Sequence, residues 1–310
     1  VAESHQLRIG TRGSPLARWQ AEWVAARLQE AGIRVELVPI ATQGDVQQRG
    51  PIGEIGTLGV FTKEIQQALL DNRVDLAVHS LKDLPTEPVE GLCLAAVPKR
   101  GPHGDVLVSR TKQTFAQLPQ GATIGTGSTR RRSQLWHARP DLKMEDVRGN
   151  VDTRLRKLQE GQYDALVLAE AGLTRLELRQ HITEVLPQSL ILPAVGQGAL
   201  GLETRVDDQQ TRQLLAILND EATHQAVLAE RAMLAALRGG CLAPVGARGR
   251  LESDGRLHLD GVVLSHDGRR RLASLGEADP LEAVELGERV AADLLAQGAG
   301  ELIQSARNSG

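Results

Sequence analysis

Aromatic residues are nearly missing: Trp19, Trp23, Trp136, Phe61, Phe115 and Tyr163 make up 2% of 310 residues. The cores must therefore be aliphatic, and a groove that stacks successive bases of single-stranded nucleic acid on rings is disfavoured. Cysteine is equally scarce, since Cys93 and Cys241 cannot form a disulfide framework, which fits a reducing compartment. Neither has a CxxC partner and the eight histidines do not cluster, so no metal site is expected. No run of 18 apolar residues occurs, which argues against a transmembrane helix and a membrane partner. The opening VAESHQLRIG lacks a basic segment followed by an apolar run, so the expectation is a cytoplasmic chain. Charge of one sign is also missing: 36 basic against 39 acidic residues leave −3, too little to draw the chain to nucleic acid. Neither GxGxxG after the first strand nor GxxxxGK before Ser or Thr is present, which weakens nucleotide-binding readings.

What is present is an ordinary globular composition, 41% hydrophobic and 24% charged, long enough for two or three domains. Leu7 to Thr11 reads as a buried strand, and a helix follows from Ser14 as N-cap and Pro15 at the first helical position. Val35 to Ala41 reads as a second strand. Residues 43–59 hold most of a glycine-rich stretch without periodicity and read as a long mobile loop. Phe61 to Leu70 is helical, and Val74 to His79 is an apolar strand running into His79-Ser80-Leu81-Lys82-Asp83.

The plan then repeats. ATIGTGSTRRRSQL from Ala122 resembles LRIGTRGSPLARWQ from Leu7, and GQYDALVLA resembles DNRVDLAVH, so two α/β domains with largely parallel sheets are expected, facing a cleft. After residue 218 a helix through Ala222 to Leu237, a Gly239-Gly240-Cys241 loop and strands parted by Asp254-Gly255 and Asp267-Gly268 read as a small α+β domain with an antiparallel sheet. A last helix is expected from Pro280 to Ala296.

Arginines gather at the strand-to-helix junctions: Arg12 and Arg18 in the first copy, Arg130, Arg131 and Arg132 in the second, Arg148 and Arg154 around RGNVDTR, and Arg175 after AGLT. Cations prefer the other end of a helix, so the set reads either as solvated faces or as a binding site for carboxylates or phosphates. Arg132, Arg269, Arg270 and Arg271 read as exposed. Asp83, just beyond a strand's carboxyl end, is either a turn aspartate or a general acid or base. His79 reads as a satisfied core histidine and Cys93 as a buried small hydrophobe. Cys241, between glycines, is a candidate thiolate if nearby cations lower its pKa.

Seven blocks in order, RIGTRGSPLA, FTKEIQQALL, DLAVHSLKDLPT, GTGSTRRRSQL, RGNVDTRLRKL, LPAVGQGAL and GGCLAPVGA, resemble the porphobilinogen deaminase family over nearly the whole chain. The resemblance implies two periplasmic-binding-protein-like α/β domains around a cleft plus a small α+β C-terminal domain with a three-stranded antiparallel sheet. It implies residues 1–99 with 199–217 as the first domain, 100–198 as the second and 218–310 as the third. The implied activity joins four porphobilinogen molecules into hydroxymethylbilane, with loss of ammonia, on a dipyrromethane cofactor tied to Cys241 by a thioether. Asp83 is implied as the catalytic residue, with Ser80, Lys82, Thr126, Ser128, Arg130 and Arg131 at the cofactor and Arg12, Ser14, Arg148, Arg154 and Arg175 at the substrate. A monomer is expected.

One departure stands out: many family members carry lysines before the LF or VF dipeptide, whereas here Glu54 and Leu58 occupy that stretch and only Arg49 is basic. Contacts assigned to those lysines do not carry over. The competing class is a solute-binding module for an anionic metabolite, which needs neither Asp83 nor Cys241; a nucleic-acid protein is more distant.

Overall fold

The protein is described here by a computed structural model covering residues 6–42, 62–240 and 243–308. In chain order the elements are β1 (Leu7–Thr11), α1 (Pro15–Glu30), β2 (Val35–Pro39), α2 (Lys63–Leu70), β3 (Leu76–Ser80), β4 (Leu92–Ala96), β5 (Asp105–Ser109), β6 (Thr123–Gly125), α3 (Thr129–Ala138), β7 (Lys143–Glu145) and α4 (Val151–Gln159). There follow β8 (Ala165–Ala169), α5 (Glu170–Arg175), β9 (Glu184–Val185), β10 (Leu200–Arg205), α6 (Gln209–Leu215), α7 (Glu221–Ala236), β11 (Val245–Leu251), β12 (Leu257–Leu264), β13 (Arg271–Ala278), α8 (Ala283–Ala296) and α9 (Ala299–Asn308). Two units result, residues 1–100 with 199–224 and residues 101–198 with 225–310.

The first unit holds a five-stranded sheet of order β2-β1-β3-β10-β4. Its parallel strands β1, β2 and β3 flank an antiparallel β10 that arrives from much later in the chain. Side chains alternate across β3: Leu76 and Val78 join Leu7, Ile9, Val24 and Leu28 under α1, while Ala77 joins Ile65 and Leu69 under α2. Each fully buried leucine of these faces contributes about 1.5–3 kcal/mol. Helix α1 begins where the sequence predicts, with Ser14 Oγ accepting from the Ala17 N–H at 3.4 Å and Pro15 in the first turn. Cys93 corrects an expectation, being half-buried: β4 is the sheet's edge strand and covers its side chains from one side only.

In the second unit the order β7-β6-β8-β5-β9 reproduces the same plan, again with three parallel strands and one antiparallel strand beside them. The duplicated α/β plan expected from the sequence is thus present. The antiparallel member of each sheet is the strand that follows a passage between units, β5 after β4 and β10 after β9. Ser128 caps α3, its Oγ accepting from the Arg131 N–H at 3.4 Å, and α3 ends before Pro140.

The same unit carries the antiparallel sheet β11-β12-β13, turning at Gly255 and Gly268, whose φ angles of +80° and +72° suit glycine. Helices α7, α8 and α9 cover it around Met233, Leu257, Leu259, Val263, Leu286, Val290 and Leu294. Helix α9 was not foreseen. It is ten residues long and sends only Ala299, Leu302, Ile303 and Ala306 to the core, too few turns for a period to show.

Candidate active site

In the first unit, the carboxyl ends of the adjacent parallel strands β1 and β3 lie at one edge of the sheet, where α/β folds place ligands. After β1 the chain turns through Arg12 and Ser14 into α1. After β3 it turns through Ser80 into a 3-10 turn, Leu81–Asp83, in which Leu81 is buried while Lys82 and Asp83 are exposed. The Leu81 N–H donates to Ala199 O at 3.1 Å, which fixes the turn against the chain leading into β10. Arg12, Ser14, Gln20, His79, Ser80 and Asp83 line one pocket there.

Beneath that pocket several polar groups are paired. The Gln20 amide donates to Ser80 Oγ at 2.7 Å. His79 Nε2 lies 3.0 Å from Glu203 Oε2, and the Gln66 amide donates to Glu203 Oε1 at 2.9 Å, all three side chains being buried. His79 is therefore the satisfied core histidine that its setting predicted, with its ring beside the pocket. Arg18 lies apart on the exposed face of α1, 3.6 Å from Glu22.

In the second unit, β6, β7 and β8 are parallel neighbours, so the turns that start α3, α4 and α5 share one sheet edge. Thr126, fully buried, accepts from the Ser128 N–H at 3.3 Å, so both residues shape the turn into α3. Arg130 and Arg131 are buried and converge on Asp105 at the head of β5. Burial opposes ionisation of Asp105, but the two guanidiniums outweigh it and hold its carboxyl well below the usual range. Burial pushes the Arg131 guanidinium down against the pull of Asp105.

Arg148 and Arg154 flank the turn into α4, where Asn150 caps the helix by accepting from Thr153 N–H at 3.0 Å and Arg154 Nε donates to Gly149 O at 2.8 Å. Arg175 ends α5 and donates to Gly198 O at 2.7 Å; burial pushes its guanidinium down to about 10. Arg132 is part-buried beside Asp146 at 2.5 Å, whereas Arg269, Arg270 and Arg271 are exposed as expected. Cys241 and the stretch 43–59 lie outside the described residues. Among the described residues, no group of His, Cys, Asp and Glu could hold a metal ion and no helix is long and apolar enough to cross a membrane.

Sequence reasoning missed Gln20, Asp105 and Glu203. The last two had a signal: each is the single carboxylate of a largely buried strand, DVLVS and LGLETR, and an unpaired charge there is costly.

Comparison with known proteins gives two family matches, "Porphobilinogen deaminase, dipyromethane cofactor binding domain" over residues 7–213 and "Porphobilinogen deaminase, C-terminal domain" over residues 224–296. The porphobilinogen deaminase of Acidithiobacillus ferrooxidans is 50% identical over 307 residues, covering 98% of this chain and 99% of the relative. That of Chloroherpeton thalassium is 46% identical over 303 residues, covering 96% of each. Among solved structures, the methionine binding protein MetQ is 13% identical, covers 73% of this chain and 93% of its own, and has a TM-score of 0.44.

Proposed function

The chain belongs to the porphobilinogen deaminase family, and from that premise we propose how its residues divide the work. It is a hydroxymethylbilane synthase, a transferase of tetrapyrrole biosynthesis that condenses four porphobilinogen molecules with release of ammonia. Its cofactor is dipyrromethane, which supplies the pyrrole carbon to which incoming units are joined.

The residues present suit that group. Arg130 Nε is buried with no hydrogen-bond partner among the described residues, a donor waiting for an acceptor, and the pyrrole rings bring carboxylates. In our assignment Cys241 carries the cofactor as a thioether. The residues assigned to bind it are Ser80, Lys82, Thr126, Ser128, Arg130 and Arg131. Arg12, Ser14, Arg148, Arg154 and Arg175 take the acetate and propionate groups of porphobilinogen, because planar guanidinium forks match carboxylates without a metal.

Asp83 is the catalytic residue of this assignment. When the C–N bond of porphobilinogen's protonated aminomethyl group breaks, the electron pair leaves with nitrogen as ammonia and the pyrrole methylene keeps the positive charge. A carboxylate held beside it stabilises that charge, and Arg12 in the same pocket orients the substrate by its own carboxylates. The observation carrying this reading is that Asp83, Arg12, Ser14 and Ser80 line one pocket at the carboxyl ends of β1 and β3. The solute-binding alternative leaves Asp83 and Cys241 without a role.

We further assign three domains, residues 1–99 with 199–217, 100–198 and 218–310, supported by the separate apolar cores of the three sheets. We also assign it as a cytoplasmic monomer, and the charge of −3 and the scarcity of aromatics support a reading without a nucleic-acid partner.

Intact mass under reducing conditions tests the assignment. The expected result is an excess of two porphobilinogen units less two ammonia, absent from Cys241→Ala, and a ladder of single-unit additions after incubation with porphobilinogen. A bare polypeptide mass unchanged by substrate overturns it.

A further inference from the structure

We propose that Asp105 is a positioning residue for this reaction, acting through Arg130 and Arg131 to hold two guanidiniums side by side as one carboxylate receptor of single net positive charge. The inference rests on the assignment of those arginines to the dipyrromethane carboxylates.

Consecutive buried cations repel, and neither would keep its charge cheaply in a dry site. Asp105 removes the conflict by bonding both. Arg130 Nη1 donates to Oδ2 at 2.7 Å and Nη2 to Oδ1 at 3.2 Å, while Arg131 Nε donates to Oδ1 at 2.8 Å. Each fork is also tied to the backbone on a second side, Arg130 Nη1 to Leu192 O at 2.6 Å and Arg131 Nη1 to Val167 O at 3.1 Å. Orientation is thereby set from two directions for each plane.

The carboxylate itself is held. Asp105 opens β5 in register with Ala169 of β8, and the Gln197 amide donates to Oδ1 at 3.2 Å. Its side chain is fully buried, so it does not act on substrate through solvent.

Donor capacity decides between a self-satisfied structural cluster and a receptor. Arginine has five N–H groups. Arg130 spends both hydrogens of Nη1 and one of Nη2, leaving Nε buried without a partner and a further N–H on Nη2. Arg131 spends Nε on Asp105 and one hydrogen of Nη1 on Val167 O, with Nη2 2.7 Å from Asp105 Oδ1. Two cations and one anion leave one positive charge and several donors already aimed, which is what a carboxylate ligand needs.

The test compares Asp105→Asn, Arg131→Met and Arg131→Lys as purified full-length proteins, by intact mass, thermal melting and steady-state kinetics. Asp105→Asn is expected to lower the ratio of cofactor-loaded to bare chain by about tenfold or more. In the loaded fraction kcat is expected to fall on the order of a hundredfold with KM changed far less. A lower melting temperature with loading ratio and kcat unchanged would mean a merely structural role and overturns the proposal. Loss of cofactor from Arg131→Met but not from Asp105→Asn overturns it while leaving the arginine assignment intact; full loading in both overturns the two together. Should Asp105→Asn not fold, Arg131→Lys decides, since it keeps the charge but cannot span Asp105 and Val167 O. Reduced loading there supports positioning, and loading equal to the unmodified protein overturns it.

Discussion

Gln20 Nε2 donates to Ser80 Oγ at 2.7 Å, joining the middle of α1 to the end of β3 just before the turn that carries Asp83. Gln20 is buried and its sequence neighbours on α1 are apolar, so this amide is placed for Ser80. Gln20→Met keeps the volume and removes the donor. We expect melting to move by about 1 kcal/mol and KM for porphobilinogen to rise severalfold, measured by calorimetry and initial rates. An unchanged KM would show that Ser80 needs no orientation.

Glu203 is the buried acceptor shared by His79 and Gln66. Glu203→Ala leaves both without their partner and should destabilise the protein by about 3–5 kcal/mol, whereas Glu203→Gln, which keeps an oxygen acceptor, should cost clearly less. Denaturant titration of the two variants checks the difference, and equal losses would place the effect in packing.

Asp75 accepts from Arg8 N–H, Arg8 Nε and Arg8 Nη2 at 3.0, 3.0 and 2.8 Å, and from Arg205 at 3.2 Å. Burial favours the neutral acid, but these donors outweigh it and hold the carboxyl below its ordinary range. A depressed folded pKa contributes stability that is complete above the unfolded value of about 3.9 and is lost as pH falls through the lower folded value. Asp75→Asn should therefore lower the melting temperature at pH 7 and flatten its decline below about pH 4. A decline as steep as in the unmodified protein would assign the acid limb to other carboxylates.

Glu230, wholly buried in α7, accepts from the N–H groups of Gly196 and Gly249 at 2.7 Å each. Truncation strands two buried donors in the segment leading to β10 and in β11. Glu230→Ala should cost about 2–5 kcal/mol in chemical unfolding, and Glu230→Gln should recover part of it. A loss below about 1 kcal/mol would mean that water replaces the carboxylate.

Local signals were readable before any coordinates. Ser14-Pro15 and Ser128 marked helix starts because a capping oxygen and a proline at the first turn act within four residues. Apolar runs marked β3 and β8, since strands covered on both faces carry no polar alternation. The repeat of strand, turn and helix gave the two sheets. Asp83 and the arginines were readable as candidates from their place after such strands. Helix α9 and the half-exposure of Cys93 were not, because one depends on too short a period and the other on strand order.

The sequence by itself determined the elements, the duplicated α/β plan and the chemistry on offer, many arginines and an aspartate at strand ends, because these follow from interactions between near neighbours in the chain. Only the tertiary structure decided which charges meet. Asp105 reaches Arg130 and Arg131, and Glu203 reaches His79, because β5 and β10 insert antiparallel beside β8 and β3 after the chain has passed between units. No local propensity encodes that crossing; it is fixed when the sheets close and each buried carboxylate must find its donors.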